Sequence, residues 1–266
     1  MIDLKLGAIV AATAISLIAA PVSARDVRTL VLGGYSLAAD KATLVDLTAT
    51  DPRFDQHASG AYDLDAGLPS LSFLRHYDSV LLFTDSVPVD LTALSDLLGQ
   101  YVERGGGVVI STFWGQGGGS AGGKLNSTGY NPLINPNGSP YEPQTLGTFD
   151  ASDPLMANVT TLASEHFSGD YDAGLDAGAT LVASWASGRP LAAYNAAHTV
   201  VAVTLNPNVV NLRQTTGDYR PLFANALAFV SDTTAPIPEP AAWSLMVVGF
   251  GVIGLAARRR APPIAA

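Results

Sequence analysis

The 266-residue chain contains no cysteine. That excludes disulfides, thiolate metal sites and a cysteine nucleophile at one stroke. It is also poor in charge: 14% of residues are Asp, Glu, Lys or Arg, with 14 basic residues against 23 acidic ones. Most of the few bases stand singly, and no basic stripe runs through the middle of the chain. Once the two apolar ends are set aside, the body between them keeps 10 basic and 22 acidic residues, a net charge of −12. A body of that sign repels phosphate backbones and anionic lipid, so nucleic acid is not an expected partner. Without disulfides the fold rests on its apolar core, which about 200 residues suffice to build.

The ends carry the long hydrophobic runs. Residues 1–24 read as a secretory signal peptide: Lys5 opens it, Leu6 to Ala20 is apolar, and Val22-Ser23-Ala24 offers small residues to signal peptidase. At the other end, Pro238-Glu239-Pro240 precedes Trp243, Met246, Gly249, Gly251 and Gly254 in an apolar stretch from Ala241 to Ala257. Arg258-Arg259-Arg260 closes it, followed by a short tail, residues 261–266. As a helix these roughly 17 residues reach about 25 Å, enough for a thin bilayer. The arginines hold the following end on the cytoplasmic side and leave the body outside. This order of parts resembles the PEP-CTERM sorting signal in its PEPxxWA form, departing from it at Ser244, where Ala is usual. The resemblance implies a Gram-negative source and processing by an exosortase while the protein is held at the inner membrane. Release toward the cell surface or extracellular matrix would follow.

Residues 25–232 form the expected domain, with 233–237 as linker. Thr29 to Gly34 and Ser79 to Thr84 read as buried strands. Asp90 caps a helix from Leu91 to about Arg104, with Leu91, Leu94, Leu97, Leu98, Tyr101 and Val102 on one face. Gly105 to Gly107 stops it, and Val108 to Phe113 is the next strand. Strand, helix, glycine stop and strand make a βαβ unit. Gly115 to about Tyr141, extending to about residue 150, is a long irregular excursion rich in Gly, Asn, Ser and Pro. Further strands are expected at Thr180 to Ala183, Leu191 to Tyr194 and Thr199 to Thr204, with a closing helix from Arg220 to Val230. The predicted fold is α/β: a three-layer flavodoxin-like sandwich with a mainly parallel central sheet, plus a C-terminal transmembrane helix.

Three stretches of the body, Tyr77-Asp-Ser-Val-Leu-Leu-Phe, the helix end Tyr101-Val-Glu-Arg-Gly-Gly-Gly-Val-Val and Asp153-Pro-Leu-Met-Ala-Asn-Val, resemble the class I glutamine amidotransferase-like fold in its ThuA-like branch. In active amidotransferases of that family a cysteine on a tight turn is activated by histidine; here the cysteine is missing. No Gly-x-Ser-x-Gly elbow replaces it, and Ser111 and Thr112 fall within a strand.

Other motifs carry both a chemical and a plainer meaning. Gly118 to Lys124 fits a phosphate loop, but Leu125 stands where a hydroxyl should hold Mg²⁺ and no helix follows. Asp85, at the end of its strand, together with Glu165 and His166 is a candidate hydrolytic or metal site. Asp170, Asp172 and Asp176 alternate as in calcium loops but lack the turn glycine and the closing glutamate. Trp114, Tyr130, Tyr141 and Trp185 are candidates for stacking on sugars, the two tryptophans equally for the core. No cofactor is expected. The leading expectation is a non-catalytic exported protein with a binding or structural role; the sorting-signal resemblance implies exopolysaccharide as its partner. The alternative is a secreted hydrolase acting on glycan or a related substrate.

Overall fold

The computed structural model describes residues 26–34, 37–84, 89–112, 114, 122–134, 142–166, 173–207 and 215–231. The predicted signal peptide and everything after Ser231, including the segment predicted to span a membrane, lie outside them. Among the described residues no helix is long and apolar enough to cross a membrane.

The elements, in order, are β1 (Thr29–Gly33), α1 (Leu37–Thr48), β2 (Gly60–Asp63), α2 (Leu71–Leu74), β3 (Ser79–Leu82), α3 (Leu91–Glu103) and β4 (Gly107–Ser111). They continue with β5 (Leu133–Ile134), β6 (Gln144–Phe149), β7 (Leu162–Ser164), β8 (Gly174–Leu175), β9 (Thr180–Trp185), β10 (Pro190–Tyr194), β11 (Val200–Val203), β12 (Thr215–Gly217) and α4 (Tyr219–Ser231). Ten strands share one sheet in the order β12-β7-β6-β9-β10-β11-β4-β3-β1-β2, and β5 pairs separately with β8.

The parallel half, β2-β1-β3-β4-β11, follows from strands apolar on both faces. Alternate residues part to the two sides. Leu30, Leu32, Val80, Leu82, Val108 and Ile110 meet α2 and α3, while Val31, Leu81 and Val109 meet α1 and α4. The α3 cap is as expected: the Asp90 carboxylate accepts from the amides of Thr92 (2.9 Å) and Ala93 (3.2 Å). Gly105, at φ +93°, ends the helix. Gly107 is required by contact, since a Cβ there would stand 2.5 Å from the Val230 carbonyl oxygen of α4.

The mainly parallel sheet needs correction. From β11 outward every pairing is antiparallel: β11-β10, β10-β9, β9-β6, β6-β7 and β7-β12. For β9-β10 and β10-β11 the reason is connection length. Five residues, Asn195 to Thr199, join β10 to β11, and four, Ala186 to Arg189, join β9 to β10. A parallel crossover needs a dozen or more. The fold is therefore mixed α/β, with a parallel, flavodoxin-like half extended by an antiparallel one.

Part of the irregular excursion is built into the body. Residues 122–134 lie against α3 and the β4-β11-β10 surface, where a regular three-layer fold would set a helix. Leu125 is fully buried beside Leu98, and Leu133 packs on Ala193 and Ala202. The Asn195 amide donates to the Gly129 carbonyl (3.0 Å), while its oxygen accepts from the amides of Thr199 and Val200. At the start of α4, the Asp218 carboxylate accepts from both the amides and the hydroxyls of Thr160 and Thr161. The two amides foremost hold its pKa below the usual carboxylate range.

Candidate functional site

The chain leaves β1 for β2 on one side and then places β3 on the other. That reversal opens a crevice at the carboxyl ends of β1 and β3, the position at which open α/β sheets take ligands. Its described walls are Gly33-Gly34 after β1, Phe83-Thr84 after β3 and Ser111-Thr112 at the end of β4. The Phe83 amide donates to the Leu32 carbonyl (2.9 Å), so the strand ends stay in register up to the rim.

Three hydroxyls gather at this edge, and they differ. Ser111 is buried and its hydroxyl donates to the Leu82 carbonyl (2.8 Å), which spends it as a nucleophile. Thr84 and Thr112, 5% and 1% exposed, bury hydroxyls with no hydrogen-bond partner among the described residues. An unpaired buried hydroxyl costs about 1–3 kcal/mol, so two on neighbouring strands mark a place where the fold keeps polar capacity unused. Beside them, a recess between β4 and β11, floored by Ile110 and Ala202 and flanked by Ser111, Asn131 and Thr204, has room for about a single water molecule. The end of β2 and the connections from β2 and β3 into α2 and α3 hold Asp63, Asp65 and Asp90 at this edge, while Lys124, in the long connection after β4, pairs with Glu103 at the far end of α3.

The residues singled out in sequence are placed as follows. Asp85 directly follows Thr84 and lies outside the described residues. Glu165 is exposed and His166 half-buried just after β7, where the Ser164 hydroxyl donates to the His166 carbonyl (2.7 Å). Along the sheet β7 stands six strand positions from β3, about 29 Å at the usual spacing. Among the described residues no three His, Asp or Glu side chains gather as a metal site. Asp170 and Asp172 also lie outside them. Asp176 is buried, and its carboxylate accepts from the Gly129 amide, pinning the turn that Asn195 holds from the other side.

Lys124, the lysine of the apparent phosphate loop, is engaged elsewhere. Its amide donates to Asp96 (2.8 Å), its stem lies over Gly99, and its ammonium pairs with Glu103. That hydrogen bond raises the lysine pKa and lowers the glutamate's. Trp114 and Trp185 are core residues: their indole N–H groups donate to Asn126 and to the Thr204 hydroxyl (3.0 Å). Tyr130 is half-buried with its hydroxyl on Glu103 (3.2 Å), and Tyr141 lies outside the described residues. Sequence reasoning placed Thr84 at the end of a buried strand and gave it no functional role.

The outer segment of the chain decides where the protein goes. Residues 236–260 match the PEP-CTERM protein-sorting motif. The chain carries a PEP-CTERM sorting motif. The motif marks export to the envelope of Gram-negative bacteria, and exosortase is the partner that reads it. The body is similar in fold to a protein described as ThuA-like from Bacteroides uniformis, at 13% identity and a TM-score of 0.54, over 77% of this chain and 91% of that one. It is similar also to a protein described as a GMP synthase subunit from Thermoplasma acidophilum, at 14% identity and a TM-score of 0.50, over 78% and 96% of the two chains. At such identities the likeness shows the fold alone. No curated protein matches the chain.

Proposed function

We propose that this sorting-motif protein works in the envelope or extracellular matrix, and that its amidotransferase-like body binds a neutral polysaccharide at the carboxyl edge without turning it over. The observation that carries the reading is the pair of buried, unpartnered hydroxyls of Thr84 and Thr112 at the ends of neighbouring parallel strands. A hydroxyl both donates and accepts, which suits the hydroxyls of a sugar. The acids at the same edge and the net charge of −12 on the body disfavour an anionic ligand. Two points support binding over catalysis. The chain has no cysteine, and the strand-end Ser111 hydroxyl is committed to a backbone carbonyl.

The test is binding of the detergent-solubilised chain to an array of neutral and acidic polysaccharides, with product analysis of any glycan retained. Retention of a neutral glycan without cleavage, weakened about tenfold (about 1.4 kcal/mol) in Thr112→Val, is the expected result. Release of fragments that stops in Asp85→Asn or His166→Ala would return the hydrolase reading.

A further inference from the structure

The two ends of the described body leave it from one pole. Thr29 pairs with Ser79 and Ser79 with Gly107, so the first residues of β1, β3 and β4 form one row, about 10 Å across at normal strand spacing. Val230, next to last in α4, lies against Gly107 in that row. The chain that follows the signal peptide therefore enters, and the chain that leads to the sorting motif leaves, at the amino edge of the parallel strands. The crevice with Thr84 and Thr112 is at the carboxyl edge, on the opposite pole.

Charge follows the same division. Each connection that enters the first four parallel strands passes an arginine: Arg28 before β1, Arg53 before β2, Arg75 before β3 and Arg104 before β4. Three of the four histidines, His57, His76 and His198, stand in connections on that edge and are exposed. Asp26, Asp51, Asp55 and Asp78 offset the arginines, Asp78 and Asp51 as ion-pair partners of Arg28 and Arg53. Arg75 and Arg104 make no ion pair among the described residues and are exposed. The connections into β1 to β4 are thus uncharged on balance, whereas at the other edge the described residues include Asp63, Asp65 and Asp90, with Lys41 early in α1. Asp150 and Asp153 also lie on the amino side, after β6, close enough to add to the rise that burial gives the Tyr194 pKa beside His198, and so bring negative charge toward β10.

We infer that, while the sorting tail holds the protein at the membrane, the amino edge of the parallel sheet is the surface that faces anionic lipid headgroups. The crevice then points away, open to ligand before the tail is processed. This rests on the export and sorting reading above. An anionic surface attracts the unpaired Arg75 and Arg104 on this pole, which the chain ends already hold toward the bilayer. Six residues, 232–237, separate α4 from the Pro-Glu-Pro, a reach of at most about 20 Å, which keeps that pole near the bilayer.

The lack of cysteine makes the test direct. Ala196, exposed in the turn before β11, and Ala66, exposed after β2, are replaced one at a time by cysteine in the full chain and labelled with a fluorophore. The proteins are reconstituted in phosphatidylcholine vesicles containing 30 mol% (about a third) phosphatidylglycerol, with or without a headgroup-attached quencher. The expected result is at least threefold (about 0.7 kcal/mol) stronger quenching at position 196 than at 66, falling toward equality in Arg75→Glu/Arg104→Glu. Equal quenching at both positions in protein that floats with the vesicles overturns the orientation and leaves the tail reading standing. Failure of the full chain to float overturns both.

Discussion

Replacing Thr112 by Val tests the candidate crevice most sharply, because stability and binding should move in opposite directions. The two side chains are β-branched and nearly equal in shape, so the exchange removes a hydroxyl and little else. Thr112 is 1% exposed and its hydroxyl has no partner. Removing an unpaired buried hydroxyl recovers its desolvation cost, about 1–3 kcal/mol. For a body of about 200 residues each kcal/mol is worth about 2–4 °C, so Thr112→Val should melt roughly 2–12 °C higher. Thr84→Val should behave alike. Ser79→Ala is the control: Ser79 is also fully buried with an unpaired hydroxyl, but at the opposite edge of the sheet, so it should share the gain in stability and leave glycan affinity unchanged. Differential scanning calorimetry and urea titration read the stability, and the glycan assay reads the function. A Thr112→Val protein less stable than the parent by more than about 1 kcal/mol would refute the reasoning, because its hydroxyl would then have to be hydrogen-bonded in the folded body.

Two further outcomes follow from the packing. Gly99→Ala should destabilise by about 1–3 kcal/mol although alanine is the better helix former, since its Cβ would lie 2.6 Å from the Lys124 stem; hydrogen exchange should localise the loosening to residues 122–134. Asp218→Ala should cost about 1–2 kcal/mol at pH 7 by removing the acceptor of Thr160 and Thr161, a figure kept low by the site's exposure. Because folding lowers the Asp218 pKa, its contribution is complete above the unfolded value near 3.8 and fades as pH falls through the folded one. The gap between parent and variant in urea midpoint should therefore narrow at pH 3, and a gap that widens there would contradict this assignment.

The elements legible in sequence are those whose local signals and burial agree. Asp90, the leucine face and Gly105 define α3, and Leu222, Phe223, Ala226, Leu227 and Val230 define α4. α1 escaped notice because Leu44 and Leu47 are its only large side chains known to be buried, too few for a periodic stripe. β2, Gly60-Ala-Tyr-Asp, is a half-buried edge strand with no apolar run. The antiparallel half was legible in principle, from the short connections at Ala186–Arg189 and Asn195–Thr199. The unpaired hydroxyls were not: nothing in the sequence around Thr84 and Thr112 tells whether a tertiary neighbour will satisfy them. Asp176 shows the converse, an acid that reads as part of a calcium loop and serves instead to hold the Gly129 amide.

The position of α4 also sets an order of events. It supplies Leu222, Phe223, Ala226, Leu227 and Val230 to the core cluster on one whole face of the sheet, and it ends five residues before the matched motif begins. A growing chain cannot close that face until residue 231 has been added, and by then the address label is next to follow. Truncated products would thus be left both unsealed and unaddressed, so maturation and delivery are coupled by sequence order alone.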